Sequence, residues 1–125
     1  MSASYPTTED ELLTAFLSLL EGLKQSANQA NIDRRSLQQD FLTAQQLYQQ
    51  QLLPTLMASP TATALMTYQT EINRALRLLG MDVSFLQTAK NPMTVQKRQA
   101  QMQQRLQTLL EFSRGLAAQL GKEPS

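Results

Sequence analysis

The sequence predicts an all-α domain, an antiparallel four-helix bundle whose third and fourth helices are longer than the first and second. Three observations predict this fold class. Leu, Ala, Gln and Met are abundant, whereas the 125 residues include four glycines and five prolines, a composition that favours helices over strands. Apolar residues recur at spacings of three and four in four separate segments. The length suits a single domain over residues 1–125 that buries about two-thirds of its unfolded surface.

The first predicted helix covers residues 8–28. Thr8 followed by Glu11 is the pattern of a capping box, and acidic residues in this first turn suit the positive end of the helix dipole. Spacings of three and four place one set of apolar residues inward: Leu12, Phe16, Leu19, Leu20, Leu23 and Ala27. This periodicity breaks after Ala27, which predicts the end of the helix.

The second predicted helix covers residues 34–53, with Asp33 or Asn31 as its N-cap. We expect Pro54 to end it, because proline has no N–H to donate within a helix. The inward residues are Leu37, Phe41, Ala44, Tyr48 and Leu52. The connector that follows holds two apolar residues expected to cover the end of the core, Leu56 and Met57.

The third predicted helix covers residues 61–89 and opens at Thr61 or Ser59. One apolar stripe continues throughout its length: Leu65, Ile72, Leu76, Leu79, Val83 and Leu86. Gly80 lies inside this helix, where it costs about 1 kcal/mol relative to alanine. Such a glycine indicates either a bend or a close approach by a neighbouring helix.

The fourth predicted helix covers residues 92–120, because Asn91 is a favoured cap and Pro92 suits the first helical position. Gly121 and Pro124 mark its end. The inward residues are Val95, Met102, Leu106, Leu109, Leu116 and Leu120. At 1.5 Å per residue the last two helices reach about 43 Å and the first two about 30 Å, so the second hairpin is expected to project beyond the first.

The composition argues against several classes of function. The chain has no Cys, His or Trp and a formal net charge of +1, so the commonest general base and the commonest metal ligand are missing. No nucleophile, phosphate-binding or di-iron motif is present, and the basic residues of the fourth helix lie among glutamines without aromatic partners. We therefore expect a protein without catalytic activity, cofactor, metal or nucleic-acid partner.

The amino end and the hydropathy pattern bear on location. The apolar stretch from Leu12 to Leu20 is short and follows acidic rather than basic residues, unlike a signal peptide. No run approaches the roughly 20 apolar residues that cross a bilayer. These features favour a cytoplasmic protein without membrane insertion.

The third predicted helix is apolar on two faces near its carboxyl end. Its core side carries the stripe described above, and the opposite side carries Leu78, Met81 and Phe85. Arg74 and Arg77 flank this second stripe, and Arg, aromatic and Met residues are enriched at protein interfaces. Three interpretations stay open: the connector or the amino-terminal arm buries the stripe, its members are scattered exposed apolar side chains, or it contacts a partner protein or a second copy.

The same region carries a family resemblance. The matching residues run from Glu71 to Phe112 and include, in order, Arg77-Leu-Leu79, Asp82-Val83, Phe85 and Ala89. A weaker match runs from Asp33 to Leu56, where glutamines precede a Leu-Leu-Pro sequence. With these residues the chain resembles the cyanobacterial heterocyst frequency control protein PatD family.

The resemblance implies a small, helical, non-enzymatic regulator of heterocyst frequency. It further implies association with the tubulin-like division protein FtsZ, whose assembly such proteins modulate, and it supplies no catalytic residues. Together with the two-faced helix, it predicts a set of partner-binding residues: Arg74, Arg77, Leu78, Met81, Asp82 and Phe85. The alternatives are a structural homo-oligomer, such as a homodimer, and an assembly chaperone for a larger cyanobacterial complex.

Overall fold

The computed structural model describes residues 8–59 and 62–121. Helices account for 89% of these residues and none of them lies in a β-strand, so the predicted all-α class is confirmed. The elements in chain order are α1 (Glu9–Ala27), α2 (Arg34–Leu47), a π-turn (Tyr48–Leu52), α3 (Leu53–Met57), α4 (Ala62–Thr88) and α5 (Pro92–Gly121). The predicted cap Thr61 and the terminal Pro124 lie outside the described residues.

Side-chain caps confirm the predicted starts of α1 and α2. Thr8 Oγ1 accepts a hydrogen bond from the Glu11 N–H at 3.1 Å, and the Glu11 carboxylate accepts one from the Thr8 N–H at 3.2 Å, which completes the capping box. Asp33 accepts a hydrogen bond from the Ser36 N–H at 3.1 Å. The hydrogen bonds that the backbone and side chain of Ser36 donate hold the pKa of Asp33 below its ordinary value.

The start of α5 is also confirmed. Asn91 Oδ1 accepts a hydrogen bond from the Met93 N–H at 2.9 Å, and Pro92 takes the first helical position. Proline loses nothing there, because an N–H at that position has no acceptor within the helix. Ahead of α4, the Ala62 N–H donates to the Ser59 carbonyl at 3.1 Å. This backbone hydrogen bond connects Ser59 to the first residue of the helix.

Pro54 does not end the second helix, contrary to the prediction. The chain makes one π-turn and then continues as α3 as far as Met57. The Leu53 N–H donates to the Tyr48 carbonyl, one residue further back than in an α-helix. Pro54 therefore lies in the first turn of α3, where its missing N–H is tolerated.

The π-turn keeps residues spaced by four on the core side. A π-turn takes more residues per turn than an α-turn, and Ala44, Tyr48, Leu52 and Leu56 are all buried. Leu56 thus covers the end of the core as predicted. Met57 does not, since its side chain is 64% exposed.

Most of the predicted inward residues form one buried core. All six predicted positions of α4 are buried, as are the five predicted positions of the second helix. Three predicted residues are only half-buried against the core: Leu19, Val95 and Leu120. Four further apolar residues were not predicted to be inward but are buried: Leu13, Leu47, Ala75 and Leu110.

Four helical units pack against each other, with α1 against α2 and α5, and α4 against α2 and α5. Between α1 and α5, Glu21 pairs with Arg114 and Gln99 Nε2 donates to the Ala27 carbonyl at 2.7 Å. Arg34 Nη1, at the start of α2, donates to the Ala89 carbonyl after α4 at 2.7 Å. These contacts link the ends of neighbouring helices.

The aromatic centre of the core lies between α1 and the π-turn. The rings of Phe16 and Tyr48 are 5.3 Å apart and tilted by 38°, a favourable geometry for an aromatic pair. Tyr48 Oη donates to the Gln69 carbonyl at 3.4 Å, and burial raises the pKa of the Tyr48 hydroxyl. The phenol is therefore a neutral structural group.

The helix lengths partly agree with the prediction. α4 and α5 have 27 and 30 residues, whereas α1 has 19, so the last two helices are the longer ones. However, α2, the π-turn and α3 contribute 14, 5 and 5 residues in succession. The second helical unit is thus longer than predicted because it continues past Pro54.

Candidate partner-binding site

Five of the six predicted site residues lie on the solvent side of α4, which we call the outer face: Arg74, Arg77, Leu78, Met81 and Phe85. Met81 and Phe85 are 52% and 46% exposed. Large apolar side chains at this exposure, close together on one helix, are typical of contact surfaces. The second apolar stripe is therefore at the surface of the described part of the chain.

Asp82, the sixth predicted residue, does not belong to the outer face. It is 2% exposed, and its Oδ2 atom lies 3.3 Å from Nε of Arg105 on α5. Burial raises the pKa of Asp82, and the positive charges of Arg105 and Arg98 partly oppose this increase. A partner at the surface cannot reach this carboxylate, so Asp82 is a packing residue between α4 and α5.

An open groove of about 880 Å³ runs between α2 and α4, and we call it the α2–α4 groove. One side carries Phe41 and Gln45 of α2 and Gln49 of the π-turn. Its α4 side carries Asn73, Arg77, Gly80, Met81, Ser84, Phe85 and Thr88. The groove thus combines apolar side chains with uncharged polar groups and a single cation, Arg77, among its lining residues.

Gly80 lets Phe41 approach the backbone of α4. A Cβ atom at Gly80 would lie 2.9 Å from Cζ of the Phe41 ring, closer than van der Waals contact allows. Phe41 is 5% exposed, so its ring closes the joint between the two helices beneath the groove. Of the two roles predicted for Gly80, this contact is the close approach.

Arg98 covers one side of the outer face. Its guanidinium carbon lies 3.9 Å from the centroid of the Phe85 ring, a cation–π contact. Its Nη1 atom donates to Gln101 Oε1 at 3.2 Å, which holds the guanidinium in place along α5. Arg98 therefore brings a further positive charge to the outer face, and the prediction that the basic residues of this helix have no aromatic partner is wrong for Arg98.

The residues of the outer face line two separate depressions. Arg77, Met81 and Phe85 line the α2–α4 groove. Arg74 and Leu78 instead line a smaller pocket of about 220 Å³ between α4 and α5. Because α4 is flanked by helices on both sides, a stripe that is continuous along it is divided between two neighbours.

Sequence reasoning missed Phe41, Gly80 and Arg98 as parts of this site. A helix-by-helix pattern assigns Phe41 to the core and cannot show that its ring edge lines a groove with another helix. A signal for Arg98 did exist. Phe85 and Arg98 lie six and seven positions from Asn91, and residues equally distant from a short helix–helix connection lie at the same level of the hairpin.

The described residues contain no group of carboxylates that could hold a metal ion. Glu71 lines the smaller pocket beside Arg74 and Arg105, and Asp82 is buried with Arg105. In the described part of the chain, no helix is long and apolar enough to cross a bilayer. The two depressions are lined by apolar, amide, hydroxyl and guanidinium groups and by the carboxylate of Glu71.

Comparison of the chain with protein-family models, with curated proteins and with solved structures finds no match.

Proposed function

We propose that this chain is a non-enzymatic, cytoplasmic regulator that acts by binding another protein through the outer face of α4 and the α2–α4 groove. The observation that carries the proposal is the exposure of Met81 and Phe85 beside Arg77 and Arg98. Aromatic, methionine and arginine side chains contribute much of the energy of protein–protein contacts. The amide and guanidinium groups around them suit the polar rim of such a contact.

The proposed framework for this surface is an antiparallel four-helix bundle. Contacts between α1 and α5 support it, because Glu21 pairs with Arg114 whereas Ala27 pairs with Gln99. Residue numbers thus rise along one helix as they fall along the other. Such a framework holds the outer face on a rigid helix, which limits the entropy lost on binding.

The proposed partner is FtsZ, whose assembly the protein would modulate in cells that control heterocyst frequency. The resemblance of the segments from Asp33 to Leu56 and from Glu71 to Phe112 to the PatD family supports this choice. The outer face lies within the second of these segments. FtsZ is therefore the first partner to test.

The test is assembly of purified FtsZ with and without the protein, followed by light scattering and sedimentation. We expect a changed yield or rate of polymer formation and co-sedimentation of the protein. The Met81→Glu variant should lose both effects. Met66→Glu is the matched control, because Met66 is 57% exposed on the same helix and does not line either depression.

Unchanged FtsZ assembly together with no detectable binding would contradict the choice of partner. Equal loss in the Met81→Glu and Met66→Glu variants would contradict the assigned surface. A stable dimer by size exclusion with light scattering, converted to a monomer by Met81→Glu, would instead favour the structural homo-oligomer. Circular dichroism of each variant shows whether the helices are retained.

A further inference from the structure

The shape of the α2–α4 groove restricts the kind of protein segment that it can bind. On α4 the lining residues run from Asn73 to Thr88, which corresponds to about 22 Å at 1.5 Å per residue. On the facing side they follow at spacings of four, with Phe41 and Gln45 on α2 and Gln49 in the π-turn. A groove of this length along α4 accommodates about four turns of a third helix.

The backbone of the groove favours a helical occupant over an extended one. Both walls are helical, α2 with the π-turn on one side and α4 on the other, and their backbone N–H and C=O groups are paired within the helices. The described residues include no strand edge. An extended peptide would find no ladder of backbone groups to join. A helix satisfies its own backbone and needs only side-chain contacts, which Phe41, Met81 and Phe85 provide.

The charge of the groove and its margins specifies the charge of the occupant. Arg77 lines the groove, and Arg98 stacks on Phe85, another lining residue. Neither carboxylate of α4 lines the groove, because Asp82 is buried beside Arg105 and Glu71 lines the smaller pocket with Arg74. The surface offered to a partner is therefore apolar and positively charged.

We propose that the α2–α4 groove binds an amphipathic helix of net negative charge, about four turns long. Its apolar side chains, at spacings of three and four, contact Phe41, Met81 and Phe85. Its carboxylates lie against Arg77 and Arg98. This inference rests on the proposed protein-binding function and adds the chemistry of the bound segment.

The experiment is a selection from displayed peptides against the full chain. The probe is a library of helix-forming peptides of about 16 residues, the length of four turns, randomised on one face and its flanks. Enriched peptides are sequenced, synthesised and titrated by fluorescence anisotropy. Two variants alter the groove, Arg77→Glu and Met81→Glu, and two matched controls alter exposed residues that do not line it, Lys97→Glu and Met66→Glu.

We expect the enriched peptides to be acidic and to carry apolar residues at helical spacing. Their affinity should fall at least about tenfold in each groove variant, equivalent to about 1.4 kcal/mol, and should be nearly unchanged in each control. Binding should also weaken as salt is raised, because part of it is electrostatic.

Several results would overturn the inference. These are the absence of any enriched peptide, enrichment of basic or non-helical peptides, and equal binding to groove variants and controls. A protein that is already dimeric through the groove, so that Met81→Glu makes it monomeric, would identify a second copy as the occupant and overturn it too.

Failure of this inference and failure of the proposed function give different results. Suppose that the wild type, Arg77→Glu and Lys97→Glu all change FtsZ assembly to the same extent and that no acidic helix is selected. The groove inference alone then fails. If acidic helices are selected but FtsZ assembly does not respond, the choice of partner fails and the groove inference stands.

Discussion

The two sides of α4 use similar packing but end differently at the surface. Against α5, the Tyr68 ring lies over Gly115, where a Cβ atom would come within 2.7 Å of it. Against α2, the Phe41 ring lies over Gly80 in the same way. Yet the side towards α5 leaves a pocket of about 220 Å³, and the side towards α2 leaves a groove of about 880 Å³.

The difference arises from the side chains that the neighbouring helices supply. α5 supplies Arg98, which reaches Phe85, and Arg105, which reaches Asp82. At the groove, α2 supplies Gln45 and the π-turn supplies Gln49, which are shorter and uncharged. Contact of an aromatic ring with a glycine of the facing helix is therefore not sufficient to close the space between two helices, because long side chains must also cross it.

The largest expected effect comes from opening the joint beneath the groove. Replacing Phe41 by alanine removes a buried ring from the contact with Gly80, which should lower the free energy of unfolding by about 3 kcal/mol or more. Chemical denaturation followed by circular dichroism measures the loss. The adjacent Leu42→Ala variant is the control, because Leu42 is 43% exposed and should cost less than about 1 kcal/mol. Equal losses would show that Phe41 does not close the joint.

The next effect tests the close approach itself. Gly80→Ala gains helix propensity but forces its methyl group against the buried Phe41 ring, so we expect a net loss of about 1 kcal/mol. Gly22→Ala is the matched control, because a Cβ atom at Gly22 meets nothing within 4 Å. It should gain up to about 1 kcal/mol from helix propensity. Thermal unfolding of both variants compares the signs, and stabilisation by both would mean that the joint tolerates a methyl group.

A third effect concerns the closed side of α4. Because burial raises the pKa of Asp82, the folded protein keeps this proton to a higher pH than the unfolded chain does. Ionisation therefore costs stability, which falls as the pH rises from the ordinary aspartate value of about 4 up to the raised pKa. The Asp82→Asn variant does not ionise, so its stability relative to the wild type should improve as the pH rises through this window.

Urea denaturation at a series of pH values from acid to neutral measures this difference. Asp40→Asn, which alters an exposed carboxylate on α2, is the matched control. If the free energy of unfolding of the wild type instead rises relative to that of Asp82→Asn as the pH rises, the ion pair with Arg105 outweighs burial and the assigned cause is wrong.

The smallest effect tests the cover over Phe85. A double-mutant cycle with Arg98→Ala and Phe85→Ala should give a coupling energy of about 0.5 kcal/mol, typical of a cation–π contact near the surface. The measurement is chemical denaturation of the wild type, both single variants and the double variant. Coupling indistinguishable from zero would mean that Arg98 does not cover the ring in solution.

Much of the fold could be predicted from local signals. Caps at Thr8, Asp33 and Asn91 act over three residues, so the sequence shows them directly. The apolar stripe of α4 was likewise evident, because a helix periodicity needs no information from other helices. The prediction at Pro54 was wrong for a related reason. The preference of a proline is local, whereas the π-turn that accommodates it also depends on packing in the core.

The same distinction between local signals and contacts across helices applies to the candidate site. The second stripe of α4 identified Met81 and Phe85 as candidates but left open whether they are buried, and the packed structure shows them exposed. The burial of Asp82 was not predicted, because an isolated helix places it between the two stripes and the arginines that face it, Arg105 and Arg98, come from another helix. The groove likewise depends on where Phe41 meets Gly80, a distance that no single segment contains.

The sequence alone thus determined the all-helical class of this protein, the caps at Thr8, Asp33 and Asn91, most of the core stripe of each helix and the absence of histidine and cysteine chemistry. Periodicity and capping are properties of one helix, so a linear pattern is enough to predict them. The tertiary structure decided which apolar residues stay exposed, which carboxylate is buried and where a groove opens. These depend on side chains that meet across helices, and their distances are set only when the helices pack.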